Sequence, residues 1–168
     1  MRINSRFIAL ITAPGVIAHE CGHLLFCFFA GVKIYRVKFF SFNTVAGYVT
    51  HDEPKKFLQS LLVSFGPLTF NSFISLILFS QIKPPYFTWL VALYLYLGVV
   101  IALHAIPSVG DAKTLFAISK GKLFRSPFAF LGFPLVVVLY ILNFLKRYHI
   151  HFIYALFLLW LGMSYLKT

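Results

Sequence analysis

Residues 14–30 read PGVIAHECGHLLFCFFA. The stretch is apolar apart from a tight group of ionisable residues, His19, Glu20 and His23. It forms the middle of a longer apolar run from Phe7 to Val32. A run of about 20 apolar residues is long enough to cross a bilayer as a helix. Ionisable groups are costly there, since one charge at the centre of such a helix costs about 2.5–3.5 kcal/mol on insertion scales. A cluster of them needs a compensating partner. On a helix, positions i and i+4 share a face, about 6 Å apart along the axis. That spacing lets both imidazoles reach one Zn²⁺ at about 2.0–2.1 Å. Glu20, offset by one residue, is free to serve as general base toward a water at the metal. The competing reading is a polar knot that packs helices, or a His–Glu pair between them. Composition alone yields roughly 0.0025 His-Glu-x-x-His matches in this chain, and the metal reading is preferred.

The rest of the sequence supports a membrane setting. The chain has 168 residues, of which 60% are apolar and 11% charged. Soluble domains usually have about 45–50% apolar and about 25% charged residues. This composition argues against a disordered tail and against a water-soluble globule. We expect a single membrane-embedded domain over residues 1–168. The net charge of +11 would suggest nucleic acid in a soluble protein, but here the Lys and Arg residues sit between apolar runs. Orientation in a bilayer is the better reading, and no nucleic-acid partner is expected. Val16-Ile17-Ala18 could pass as a weak signal-peptide cleavage site, but the apolar run continues past it, so cleavage is not expected. Cys21 and Cys27 lie about 9 Å apart along a helix axis and on different faces, so no disulfide is expected between them.

Residues 33–56 break the apolar pattern. Lys33 to Phe42 is rich in β-branched and aromatic residues, Asn43-Thr44 is a turn candidate, and Ala46 to Thr50 is a second short strand. The pattern predicts a β-hairpin. A second apolar run covers Phe57–Ser80. Its Ser60, Ser64, Asn71 and Ser75 share one helical face, expected to point into the bundle and to form a hydrated lining. Pro67 lies mid-run and leaves the Val63 carbonyl without its helical partner. Further runs cover about Tyr86–Ile106, Phe128–Leu145 and Phe152–Leu166. The fold class is therefore an all-α polytopic membrane protein of about five transmembrane helices, with a small β-hairpin loop after the first. The last two runs, about 127–166, carry no chemical signal and are expected to be scaffold or a gate.

With five crossings, alternate loops fall on opposite sides. Arg2, Arg6, Lys83, Lys146 and Arg147 lie on one side. Lys33, Arg36, Lys38, Lys55, Lys56, Lys113, Lys120, Lys122, Arg125 and Lys167 lie on the other. The positive-inside rule then makes the 33–56 and 107–126 loops cytoplasmic, with the cell membrane as the expected location.

A catalytic zinc site needs three protein ligands and an open position. Asp52 and Glu53 lie in the polar loop, which leaves Asp111 as the remaining acid. It is either the third ligand or a helix cap for Ala112–Lys120. His104, at the end of an apolar run, is the rival ligand. His51, His149 and His151 read as solvated loop residues.

Three motifs, taken together, resemble a known family. They are His19-Glu20-Cys21-Gly22-His23, then Gly66-Pro67 with Asn71, then His104-Ala-Ile-Pro107 with Asp111. In order and approximate spacing they are similar to the site-2 protease family of intramembrane zinc metalloproteases, over its three-span core (here about 7–112). The resemblance implies that Asp111 is the third zinc ligand and that the 33–50 hairpin is the family's membrane-dipping β-loop on the cytoplasmic side. The chain departs from the family pattern in four places. Asn71 comes one residue late, His104 replaces Asn, Asp111 comes one residue early, and Ala112 stands where Gly is typical.

The expected function is that of an intramembrane zinc-dependent endopeptidase. It would hydrolyse peptide bonds of membrane-spanning substrate proteins within the lipid bilayer. Zn²⁺ would be held by His19, His23 and Asp111, with Glu20 as general base. Asn71 would bond substrate backbone or the developing oxyanion, or else pack helices together. The alternatives are a divalent metal transporter, or a catalytically silent membrane chaperone of the same fold.

Overall fold

The computed structural model describes residues 5–42, 46–82, 88–124 and 126–165. Helix α1 spans Ser5–Phe29, strand β1 Ile34–Lys38 and strand β2 Tyr48–His51. Helices α2 to α6 follow at Phe57–Ser80, Trp89–Leu103, Val109–Lys122, Pro127–Leu145 and Ile150–Tyr165. A single 3-10 turn, Lys146–Tyr148, joins the last two helices. The expected turn at Asn43-Thr44, the 83–85 break and the start of the third run at Tyr86 lie outside the described residues. So do the charges at Arg2, Lys83, Arg125 and Lys167.

Local signals account for the boundaries. Gly31, in the left-handed region at φ 63, ends α1. Its N–H donates to the Phe28 carbonyl and the Val32 N–H to the Cys27 carbonyl, the paired closure that a helix-ending glycine permits. The Gln59 side chain caps α2 by accepting from the Lys56 N–H and ties it to α1 by donating to the Ala30 carbonyl. The hairpin is antiparallel, pairing Val37 with Val49 and Lys38 with Tyr48, with an irregularity between Ile34 and Arg36. The second strand lies slightly later than the expected Ala46–Thr50.

Helix α2 is the centre of the molecule and packs against every other described α-helix. Its buried face comprises Ser60, Val63, Ser64, Gly66, Pro67, Asn71 and Ser75, with Phe57 and Phe79 towards its ends. Phe57 anchors a cluster with Leu115 of α4 and Val136 and Leu139 of α5. Phe79 anchors another with Ala102 of α3 and Ala155 and Leu158 of α6. The small polar face found in the sequence is therefore buried as expected. It faces into the bundle, where Asn71 Oδ1 and Ser75 Oγ have no hydrogen-bond partner among the described residues. Cys21 and Cys27 are both free thiols, as their spacing requires.

Helices α1, α2 and α5 are long and apolar enough to cross a membrane; α3 and α6 are apolar but shorter. The 107–126 segment, expected as an amphipathic loop, forms α4, which buries Ala112, Leu115 and Ser119, exposes Lys113 and Lys120, and half-buries Lys122, whose amine donates to the Lys55 carbonyl.

The crossing of α1 and α2 depends on glycine. A Cβ on Gly22 would lie 2.8 Å from the Pro67 Cα, and one on Gly66 would lie 2.8 Å from the Gly22 carbonyl oxygen. Both neighbours are backbone and cannot rotate away. Gly66→Val is expected to lower the stability of the detergent-solubilised protein by about 1–3 kcal/mol, the usual cost of overpacking. Gly121→Ala, where a Cβ meets nothing within 4 Å, is expected to hold or raise it. Equal unfolding midpoints for the two variants would contradict this account of the crossing.

Candidate metal centre

The i, i+4 spacing on α1 brings the His19 and His23 rings to 4.9 Å between centroids, edge to face. Asp111, in the first turn of α4, comes to the same point from the other side of the bundle. Nitrogen and oxygen atoms of His19, His23 and Asp111 all lie within 4.8 Å of one another, so the group could hold a metal ion. The structure thus brings together the two histidines and the acid named from sequence.

Each imidazole is held by a backbone carbonyl that a helix has released. The His23 Nδ1 is 3.1 Å from the Val63 oxygen, and the His19 Nδ1 is 2.7 Å from the His104 oxygen. A carbonyl oxygen only accepts, so both Nδ1 atoms donate. Val63 is available because Pro67, four residues on, has no N–H to give it. His104 is available because α3 ends at Leu103 and the last carbonyls of a helix lack partners. With Nδ1 committed, a neutral ring keeps its lone pair on Nε2, the usual arrangement of metal-bound histidine.

Asp111 is fixed by a different device. Ser108 is the N-cap of α4. Its hydroxyl accepts from the Asp111 N–H at 3.2 Å, while Asp111 Oδ2 accepts from the Ser108 N–H at 2.9 Å and from its hydroxyl at 2.6 Å. Asp111 is therefore not itself the cap, as one reading had it, but the third residue of a capping box. That role aims its carboxylate at α1. Oδ2 stands 3.3 Å from the His23 Nε2. Burial pushes the Asp111 carboxyl up, but the hydrogen bond and charge of His23, with the Ser108 donors, outweigh it. The carboxyl is held well below the ordinary carboxylate range. A carboxylate oxygen and a neutral Nε2 are both acceptors. Facing each other at this distance, they require a positive charge between them, either a proton on the ring or a metal ion.

Glu20 is buried beside this cluster and does not belong to the ligand group. It lines a cavity of about 480 Å³ together with His19, His104, Lys146, His151 and Gly47. Gly47 belongs to the hairpin and comes so near α1 that a Cβ there would lie 2.8 Å from the Glu20 Cγ.

One sequence expectation needs correction here. His151 is not a solvated loop residue. Helix α6 begins at Ile150, two residues before the expected start, and this turns His151 into the cavity with its Nδ1 buried and unpartnered. Lys146, in the turn between α5 and α6, also lines this cavity. Asn71 is fully buried, and its amide donates to the Ile101 carbonyl at 3.2 Å, pinning α2 to α3. Of the two roles weighed for Asn71, the structure displays the packing one. His104 is not in the ligand group. Its ring donates from Nδ1 to the Val100 carbonyl at 2.9 Å and packs against Gly15, while its own carbonyl orients His19. His51 and His149 are away from the cavity-lining set.

The Pro67–Val63–His23 relay gives a prediction with two opposite signs. Pro67→Ala returns an N–H to the Val63 carbonyl, in competition with the His23 ring. Divalent-metal affinity, read by competition with a chromophoric chelator, is expected to fall about tenfold. The unfolding midpoint is expected to hold or rise, because an interior helical proline costs about 3 kcal/mol. Affinity that stays level would remove the relay. No family model, no curated protein and no solved structure matches this chain, so the chemistry of the centre is argued from its own residues.

Proposed function

We propose that this chain is an integral membrane zinc endopeptidase of the site-2 protease kind, acting on peptide bonds of membrane-spanning proteins. The observation that carries the proposal is the convergence of His19, His23 and Asp111 within 4.8 Å, with Glu20 buried next to them on an apolar helix. The donor set of two imidazoles and one carboxylate is that of catalytic rather than structural zinc, which keeps a position open. The 3.3 Å between His23 Nε2 and Asp111 Oδ2 fits as well. Two ligands of a tetrahedral ion at about 2.0–2.1 Å stand about 3.3–3.4 Å apart.

The surface favours a bilayer as solvent. Phe28, Trp89 and Leu131 are each about three-quarters exposed or more, and Phe7, Phe73 and Ile153 are also well exposed. Polar groups such as Ser60, Ser75 and Asn71 are buried instead. On this reading α1, α2 and α3 cross the membrane. Helices α5 and α6 both run in the direction of α2, with Gly132 lying against Phe57 at its start, Tyr154 bonded to Ser72, and Gly162 against Phe79 near its end, so they share one further crossing rather than the two expected from the sequence. The excess of Lys and Arg around the hairpin and α4 puts those segments on the cytoplasmic side.

Zinc bound by His19, His23 and Asp111 would supply Lewis-acid activation of a water and of the scissile carbonyl. Glu20 takes a proton from the attacking water and returns it to the leaving amine, which preserves proton balance over the cycle. The cavity holds the substrate segment against Glu20. A transmembrane substrate has its carbonyls bonded within a helix, so cleavage needs an extended stretch. The two-stranded hairpin beside Glu20 offers such a stretch an edge to pair with.

The test compares full-length wild type, Glu20→Gln and Asp111→Ala for zinc content and for cleavage of a transmembrane peptide in micelles. Wild type is expected to carry about one zinc and to cleave. Glu20→Gln is expected to keep its zinc and lose at least about 100-fold in rate. Asp111→Ala is expected to lose both zinc and cleavage. Zinc-loaded wild type that cleaves no transmembrane segment would point to a silent chaperone instead.

A further inference from the structure

Two of the metal-centre residues are oriented from one short non-helical segment. The His104 carbonyl holds His19, and Ser108 holds Asp111. Residues 104–108 lie between α3 and α4, and Ala105, Ile106 and Pro107 within them are buried. Buried backbone outside a helix must find partners for its carbonyls or lose about 1–3 kcal/mol for each. Those partners come from the far end of α5. Lys146 Nζ donates to the Ile106 oxygen at 3.0 Å and to the Pro107 oxygen at 3.1 Å, and Asn143 Nδ2 donates to the same Pro107 oxygen at 2.8 Å.

We propose that Lys146 and Asn143 are positioning residues of the metal centre, forming a latch that fixes residues 104–108 and through them the His19 ring and the Asp111 carboxylate. The inference rests on the reading of His19, His23 and Asp111 as a metal site. It assigns a function to α5, whose polar residues Asn143 and Lys146 stand three apart on one face of an otherwise apolar helix end. It also explains a lysine where electrostatics alone would not put one. Lys146 acts on both His19 and Asp111 at long range, and a cation beside a cation site opposes loading. Its retention there follows from its hydrogen bonds, since only a residue with several donors can serve two carbonyls at once.

The two effects have opposite signs, and this makes the proposal testable. If Lys146 acted only through its charge, its removal would tighten metal binding. If it acts as a latch, its removal loosens two of the three ligands. The experiment titrates the full-length, detergent-solubilised protein with Co²⁺ alone. It follows the visible absorption of the bound ion and the affinity in wild type, Lys146→Met, Lys146→Arg, Asn143→Leu and Leu139→Ala. Lys146→Met is expected to bind Co²⁺ about tenfold more weakly and with an altered spectrum. Asn143→Leu is expected to shift both in the same direction by less, and Lys146→Arg to recover most of the loss. Leu139→Ala, in the α4–α5 core, is expected to lower the unfolding midpoint while keeping the wild-type spectrum. Unchanged or tighter binding in Lys146→Met overturns the latch. So does a Leu139→Ala protein that reproduces the altered spectrum, since general loosening would then suffice. Failure of wild type to bind Co²⁺ at all removes the metal reading itself, and the latch with it.

Discussion

The site depends on carbonyl groups that helices have given up. An α-helix satisfies its own backbone and offers nothing to a neighbour, so a histidine ring packed among apolar helices finds no acceptor there. This chain supplies acceptors by interrupting helices at chosen places. Pro67 frees one carbonyl in the middle of α2, and the end of α3 frees another at His104. Each interruption would be a defect alone. Together they set the tautomer and aim of both imidazoles, and the energy lost from helix regularity is recovered as hydrogen bonds to the rings. The same logic extends outward to Ile106 and Pro107, whose freed carbonyls are taken up by α5.

Why α2 occupies the centre follows from its side chains. A helix that touches every other described helix must be slim wherever a neighbour crosses, although α2 keeps one outer face with Leu58, Phe73 and Ile77 exposed. It carries Gly66 and Pro67 against Gly22, and small hydroxyl residues along the face packed in the bundle. Larger residues sit towards its two ends, where Phe57 and Phe79 seed separate apolar clusters with the C-terminal helices. The crossing of α1 with α2 is therefore a close backbone approach, whereas α2 meets α3 and α6 largely around the Phe79 ring.

The sequence made much of this legible, and the places where it did not are instructive. The His19/His23 pair could be read because helical spacing is local geometry. The orphan Val63 carbonyl could be deduced from Pro67 for the same reason, but its recipient lies forty residues away and nothing local names it. Asp111 could be read as ligand or cap, and the structure shows why the choice was hard: one carboxylate serves the capping box and faces His23 together. Ser108, three residues before an acid, was a visible capping signal. His151 was misread because a boundary error of two residues changed a loop position into an inward-facing helical one. For Asn71 the sequence left a substrate contact and helix packing both open, and its bond to α3 depends on packing that no local pattern encodes.

Gly47 carries a consequence for how such a chain can vary. The hairpin strands around it are largely exposed, apart from Ile34, which packs against Cys27, Val32 and Val63. At Gly47 the hairpin backbone rests directly against the Glu20 and Val16 side chains, with no gap for even a methyl group. A larger residue is therefore not accommodated at that point of contact. There the smallest residue sets the clearance between the hairpin and the helix that carries Glu20.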